Sequence, residues 1–160
     1  MLEVRTDDVL WYVDHSLDEM AAILRRLGDG LANRRPGLAG ANSPFAIVTH
    51  CLGVMEFWAG EMIAGRTVAR DRAAEFTATG AVEDLVGAIA AARRRLGEDL
   101  RSLESLAPPR RPAQDGDAGL PFASTQGGVV LHVLEELMQH LGQLEVTRDL
   151  LVARPPGPSA

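Results

Sequence analysis

The stretch that decides the fold is Val129-Val130-Leu131-His132-Val133-Leu134-Glu135-Glu136-Leu137-Met138-Gln139-His140-Leu141-Gly142-Gln143-Leu144. Val130, Leu131, Leu134, Leu137, Met138, Leu141 and Leu144 recur at three- and four-residue steps, the period of an amphipathic helix. Thr125 is placed to cap its start, and Pro155 stops it after Leu150-Leu151. His132, Glu136 and His140 form a polar row along the same rod, each about one turn, roughly 6 Å, above the last. Glu136 and His140 can therefore grip one ion, by the geometry that the two histidines of an H-E-x-x-H helix use. One helix offers two good ligands, so a third has to come from elsewhere in the chain.

Three more helices read outward from this one. Thr6-Asp7-Asp8 is an N-cap followed by two acids that suit the helix dipole. Leu10, Val13, Leu17, Met20, Leu24, Leu27 and Leu31 then keep helical spacing, so the first helix runs to Leu27 or a little beyond. His15 lies inside it as a surface or partly buried residue. Residues 33–42, with Pro36, Gly37 and Gly40, form a turn-rich loop. Ser43-Pro44 is a cap with proline at the first helical position. The second helix follows through Ile47, Val48, Cys51, Leu52, Val54, Met55, Trp58 and Ile63 to a stop at Gly65. His50 sits nearly two turns inside it, beside the apolar stripe. Glu56 and Glu61 are spaced for the solvated face, and Cys51 reads as a small buried hydrophobe.

Residues 66–79 make a polar connector with no period, long enough to cross the length of a bundle. The third helix is predicted over Ala81–Leu106, with Thr79, Glu83 and Asp84 at its start. Residues 107–125 hold Pro108, Pro109, Pro112, Gly116, Gly119 and Pro121, a long loop of the kind used as a lid or binding loop. The predicted fold is all-α: a four-helix bundle ordered up-down-down-up. Residues 1–153 are expected to form one domain, and 154–160 a disordered tail. Bundles place metal sites between facing helices.

Composition narrows the function. A net charge of −6 gives no basic face for nucleic acid. All 16 basic residues are arginine, and the pairs and triplets at 25–26, 34–35, 93–95 and 110–111 read as solvated surface. No apolar run approaches the roughly 18 residues of a membrane span, and the N-terminus shows no signal pattern. The single Cys51 excludes an internal disulfide and a multi-cysteine zinc site. A soluble, cytoplasmic protein acting on small molecules is expected. A homodimer would use the face of the first or third helix.

The candidate third ligand is His50, the only histidine on the second helix, with apolar neighbours that imply it faces the core. His50, Glu136 and His140 make a two-histidine, one-carboxylate set, which for zinc leaves a fourth position open. The same set suits Ni²⁺, Fe²⁺ or Mn²⁺. The competing reading is two unrelated core histidines and an exposed glutamate.

These residues carry a resemblance. His50, with Glu136-x-x-x-His140 and the following Gly142-Gln143, resembles the DinB superfamily of metal-binding bundles. Ser43 to Trp58 is similar to its second helix, and Arg70-Asp71-Arg72-Ala73-Ala74-Glu75-Phe76 resembles the connector of a DinB-like subgroup. Many members use three histidines; Glu136 in place of one is similar to the mycothiol-dependent maleylpyruvate isomerase branch. The resemblance implies the up-down-down-up order and thiol chemistry. Zinc would hold a low-molecular-weight thiol such as mycothiol or bacillithiol as a thiolate, for transfer to an electrophile. A thiol-dependent cis-trans isomerase and a non-catalytic metal-binding stress-response protein are the alternatives. Arg66, Arg72, His132 and Gln143 are candidates to contact the thiol, with Arg70 and Arg148 also available. His132 is a pocket residue or a rival ligand, and Gln139 or Gln143 can orient a ligand by hydrogen bonding.

Overall fold

The computed structural model describes residues 4–111 and 119–153. Among them the chain forms five α-helices and no strand: α1 Thr6–Ala32, α2 Pro44–Met55, α3 Arg72–Glu75, α4 Val82–Asp99 and α5 Gln126–Val152. α2 runs on into a π-helical segment, Glu56–Ile63, and 3-10 turns cover Leu100–Ser102 and Pro121–Ser124. The all-α class is as predicted. The expected tail at 154–160 and the middle of the 107–125 loop lie outside the described residues.

Three of the four long helices start on a local cap. Ser43 caps α2 as predicted, its Oγ accepting from the Ala46 N–H at 3.2 Å, with Pro44 in the first turn. Thr125 caps α5, its hydroxyl accepting from the Gly128 N–H at 3.1 Å. At α1 the cap is one residue earlier than predicted. Arg5 occupies it, because its own N–H donates to the Asp8 carboxylate at 3.4 Å, the return half of a capping box. α4 is capped from another helix: the Val82 N–H donates to Asp29 Oδ1 at 2.8 Å, and Thr79 takes no part. α1 changes direction at Gly28, whose φ of 62° is open to glycine at little cost.

The core is built from one stripe of each long helix. Val13, Leu17, Met20 and Leu24 of α1 meet Ile47, Val48 and Met55 of α2, Leu85, Ile89 and Leu96 of α4, and Val133, Leu137 and Leu144 of α5. α1 and α2 each pack against both α4 and α5. The α5 stripe runs through Val129, Val130, Val133, Leu137, Leu141 and Leu144, so Leu131 and Met138 fall on its outer flank and are exposed.

Two predictions are corrected here. Glu61 is buried, at 8% exposure, and Glu56 is half-buried; neither lies on a solvated face. The wider π turn after Met55 shifts the phase of every later side chain relative to an α-helix. α4 also ends near Asp99, well before Leu106, which is 78% exposed. The reason is the buried Gln126 at the start of α5. Its Oε1 accepts from the Glu104 N–H at 3.0 Å, and its Nε2 donates to the Pro108 carbonyl at 3.1 Å. The Glu104 N–H, which a longer α4 would have paired internally, is satisfied by this amide instead.

Candidate metal centre

α2 and α5 lie in contact, and their facing stripes carry the site. His50 is buried on α2; Glu136 and His140 come from α5, one turn apart. Each histidine turns Nε2 toward the same oxygen: His50 Nε2 is 3.5 Å and His140 Nε2 3.3 Å from Glu136 Oε2. One ligand atom from each of the three lies within 4.8 Å of the other two. Metal–ligand bonds of about 2.0–2.1 Å put neighbouring ligands of a tetrahedron roughly 3.3–3.5 Å apart. The two nitrogen–oxygen separations match that edge.

The far nitrogen of each ring is held as a donor. His50 Nδ1 lies 2.8 Å from Glu75 Oε2, and a carboxylate there can only accept. His140 Nδ1 lies 2.7 Å from Gln143 Oε1. With Nδ1 carrying the proton, a neutral imidazole presents a lone pair at Nε2. Three acceptors then face one another, and a cation between them, metal ion or proton, is what reconciles them. The residues therefore fit a divalent ion. The same contacts act on the protons: hydrogen bonds from His140 and His50 hold the Glu136 carboxyl below the usual carboxylate range. The bond to Glu136 raises His140 above the ordinary imidazole value, against the effect of burial.

The surroundings are aromatic and cationic. Phe76 stacks on the His50 ring at 4.7 Å, and the His140 ring meets His50 edge-on at 4.9 Å. His132 is packed between Phe122, stacked at 4.0 Å, and Trp58, edge-on at 4.8 Å. Its Nε2 is 3.9 Å from Glu136 Oε1, the oxygen turned away from the other two histidines. The structure thus brings His50, Glu136 and His140 together and leaves His132 at their flank.

The arginine candidates separate. Arg66 is committed elsewhere, to Asp99 and Glu56, and Arg148 pairs with Asp149. Arg70 serves Glu75. Arg72 is exposed, its guanidinium 6.0 Å over the Phe76 ring, close enough for its charge to act on His140. Gln143 is placed on His140, while Gln139 is exposed. Burial pushes the Cys51 thiol far up, and the charge of Glu136 adds to this, so Cys51 is inert at neutral pH.

Sequence reasoning missed Glu75. It belongs to a four-residue helix in the aperiodic connector, and only its place in the quoted Arg70–Phe76 segment gave any signal. Trp58 and Phe122 were also missed as neighbours of the site; one lies on the phase-shifted π segment, the other in the 3-10 turn before α5.

The family model described as the DinB superfamily matches residues 12–144, a span that contains all three converging residues. Among curated proteins none matches the chain.

Proposed function

The chain belongs to the DinB superfamily, and we propose that it is a metal-dependent transferase acting with a low-molecular-weight thiol. The observation that carries this is the convergence of two Nε2 atoms on one Glu136 oxygen at 3.5 and 3.3 Å. Three protein ligands leave a fourth position open, the mark of a reactive rather than a structural zinc site. A bound zinc ion would supply deprotonation of that thiol, whose ordinary pKa of about 8.5 leaves it mostly protonated at neutral pH.

The chain's own groups do the rest. His50, Glu136 and His140 hold the ion; two neutral rings and one carboxylate leave a net +1 that favours an anionic thiolate. Arg72, exposed beside Phe76, is the partner for a carboxylate on the thiol or its acceptor. Trp58, Phe122 and His132 form an aromatic wall next to Glu136 that suits a flat or apolar electrophile. In the same reading the four long helices take the up-down-down-up order and residues 1–153 act as one domain.

The test is metal content of protein purified without a nickel column, for the parent and His140→Ala, followed by thiol-dependent consumption of a generic electrophile. About one zinc per chain in the parent, lost in the variant together with turnover, is expected. Zinc retained in His140→Ala would sink the ligand assignment. Stoichiometric zinc with no thiol-dependent turnover would leave a metal-binding protein and overturn the transferase reading.

A further inference from the structure

The two histidines are not supported alike. His140 leans on Gln143, an exposed neutral amide one turn away on its own helix. His50 leans on Glu75, a buried carboxylate from a different element.

We propose that Glu75 is a positioning residue of the metal centre: braced by Arg70 and seated on Gly53, its carboxylate fixes the His50 ring with Nε2 directed at the ion. This rests on the metal reading above and adds to it a residue that touches no metal. Both Glu75 oxygens are filled by groups that pin the carboxylate in place. Oε1 accepts from Arg70 Nε at 2.7 Å; Oε2 accepts from Arg70 Nη2 at 3.0 Å and faces His50 Nδ1 at 2.8 Å. A guanidinium fork that meets both oxygens of a carboxylate fixes orientation as well as charge. The fork is itself held, with Arg70 Cζ 5.6 Å over the Phe57 ring.

The seat is equally specific. Gly53 is three residues beyond His50 on α2, and a Cβ at that position would overlap Glu75 Oε1. Only a residue without a side chain lets the carboxylate lie against α2 and reach Nδ1. α3 delivers Glu75 there, its first turn capped by Asp71 Oδ1, which accepts from the Ala74 N–H at 3.0 Å. With Arg70 donating to both of its oxygens, Glu75 is placed as the acceptor for His50 Nδ1–H, which selects that tautomer and orients Nε2.

The experiment uses the full chain as parent, Glu75→Ala, Glu75→Gln, Gly53→Ala and Gln143→Ala. Zinc affinity is read by competition with a chromophoric chelator. The imidazole tautomers are read by long-range proton–nitrogen NMR, with and without zinc. Glu75→Ala is expected to weaken zinc binding by about 10–100-fold, and to release His50 from the Nδ1–H form. Gly53→Ala, which keeps every charged group, is expected to move both readouts the same way. Glu75→Gln, which retains an acceptor, should recover part of the loss, and Gln143→Ala should cost less than Glu75→Ala. Folded Glu75→Ala and Gly53→Ala proteins that bind zinc like the parent and keep the His50 tautomer would overturn the proposal. A parent that takes up no zinc would overturn the metal reading instead; the tautomer alone then decides the role of Glu75, its loss in Glu75→Ala supporting it and its persistence refuting it.

Discussion

Two arginine networks grow from the same connector, and each rests on a glycine of the second helix. In the first, Arg66 lies over Gly60, where a Cβ would overlap its guanidinium. It donates to Asp99 through Nε at 2.9 Å and Nη2 at 2.8 Å, and to Glu56 through Nη1 at 2.7 Å; Arg95 Nε completes Glu56 at 3.0 Å. Two cations face two anions, and every oxygen of the two acids has a donor. In the second, Arg70 pairs with Glu75 over Gly53, but Glu136 adds a second carboxylate whose Oε2 faces two imidazole nitrogens in place of an arginine. The first network is closed and braces the π segment against α4. The second, the open one, ends instead on three potential ligand atoms, one each from His50, Glu136 and His140, that converge on one point. The difference separates a structural ion pair from a candidate site: matched charge holds a fold, and converging ligand atoms in fixed positions can hold an ion.

The strongest way to break this comparison is to remove that second carboxylate. Glu136→Ala takes away the oxygen that both histidines face, and the protein is expected to lose stoichiometric zinc while keeping its helical circular dichroism. The partners left behind are imidazoles, which can shed a proton, so no unpaired charge has to stay buried. Unchanged zinc stoichiometry would mean that the open network is no site at all.

The second variant acts on the closed network. Arg66→Ala strands Asp99, buried at 6% exposure, without its bidentate partner. Stranding a buried charge costs about 3–5 kcal/mol; with Arg66 itself about a third exposed, a loss of about 2–3 kcal/mol is expected. That is a fall in Tm of roughly 4–12 °C for a chain of this length, with zinc stoichiometry unchanged. Thermal unfolding and metal content measured on the same sample check both halves. Loss of zinc here would mean that the two networks are one.

How far the sequence carried these regions follows from the reach of each signal. α2, α5 and the His50/Glu136/His140 set were legible because helical spacing, the Ser43-Pro44 start and the Thr125 cap are local features. Helix packing then brings two stripes face to face. The supports were not legible. Glu75 reaches His50 only because α3 docks on Gly53, a meeting of residues 22 positions apart with no periodic pattern between them. Glu61 was misplaced because the π segment changes the period part-way along an apolar run that looks uniform. The end of α4 was overrun because Gln126, more than twenty residues later, captures the backbone that an α-helix would otherwise have paired. Local rules carried the frame; long-range hydrogen bonds decided the details.

The smallest predicted effect separates the two networks by the sign of their pH dependence. In the closed network burial opposes the charge on Glu56, but Arg66 and Arg95 hold its carboxyl below the ordinary range. Its contribution is therefore complete above the ordinary carboxylate value and is lost as pH falls through the lower folded value. In the open network the bond to Glu136 raises His140 above the ordinary imidazole value of about 6.5. For metal-free protein the sign runs the other way: the His140 contribution is complete below about pH 6.5 and is lost as pH rises through the raised folded value. Metal-free Tm should thus decline modestly from that pH upward. With zinc present the trend should reverse, because the ion needs the deprotonated ring and stabilises the folded state in proportion to its affinity. Glu136→Gln should flatten both curves in this window while leaving the acid limb set by Glu56 in place. A metal-free decline that survives Glu136→Gln would show that the proton on His140 is held by something other than the glutamate it faces.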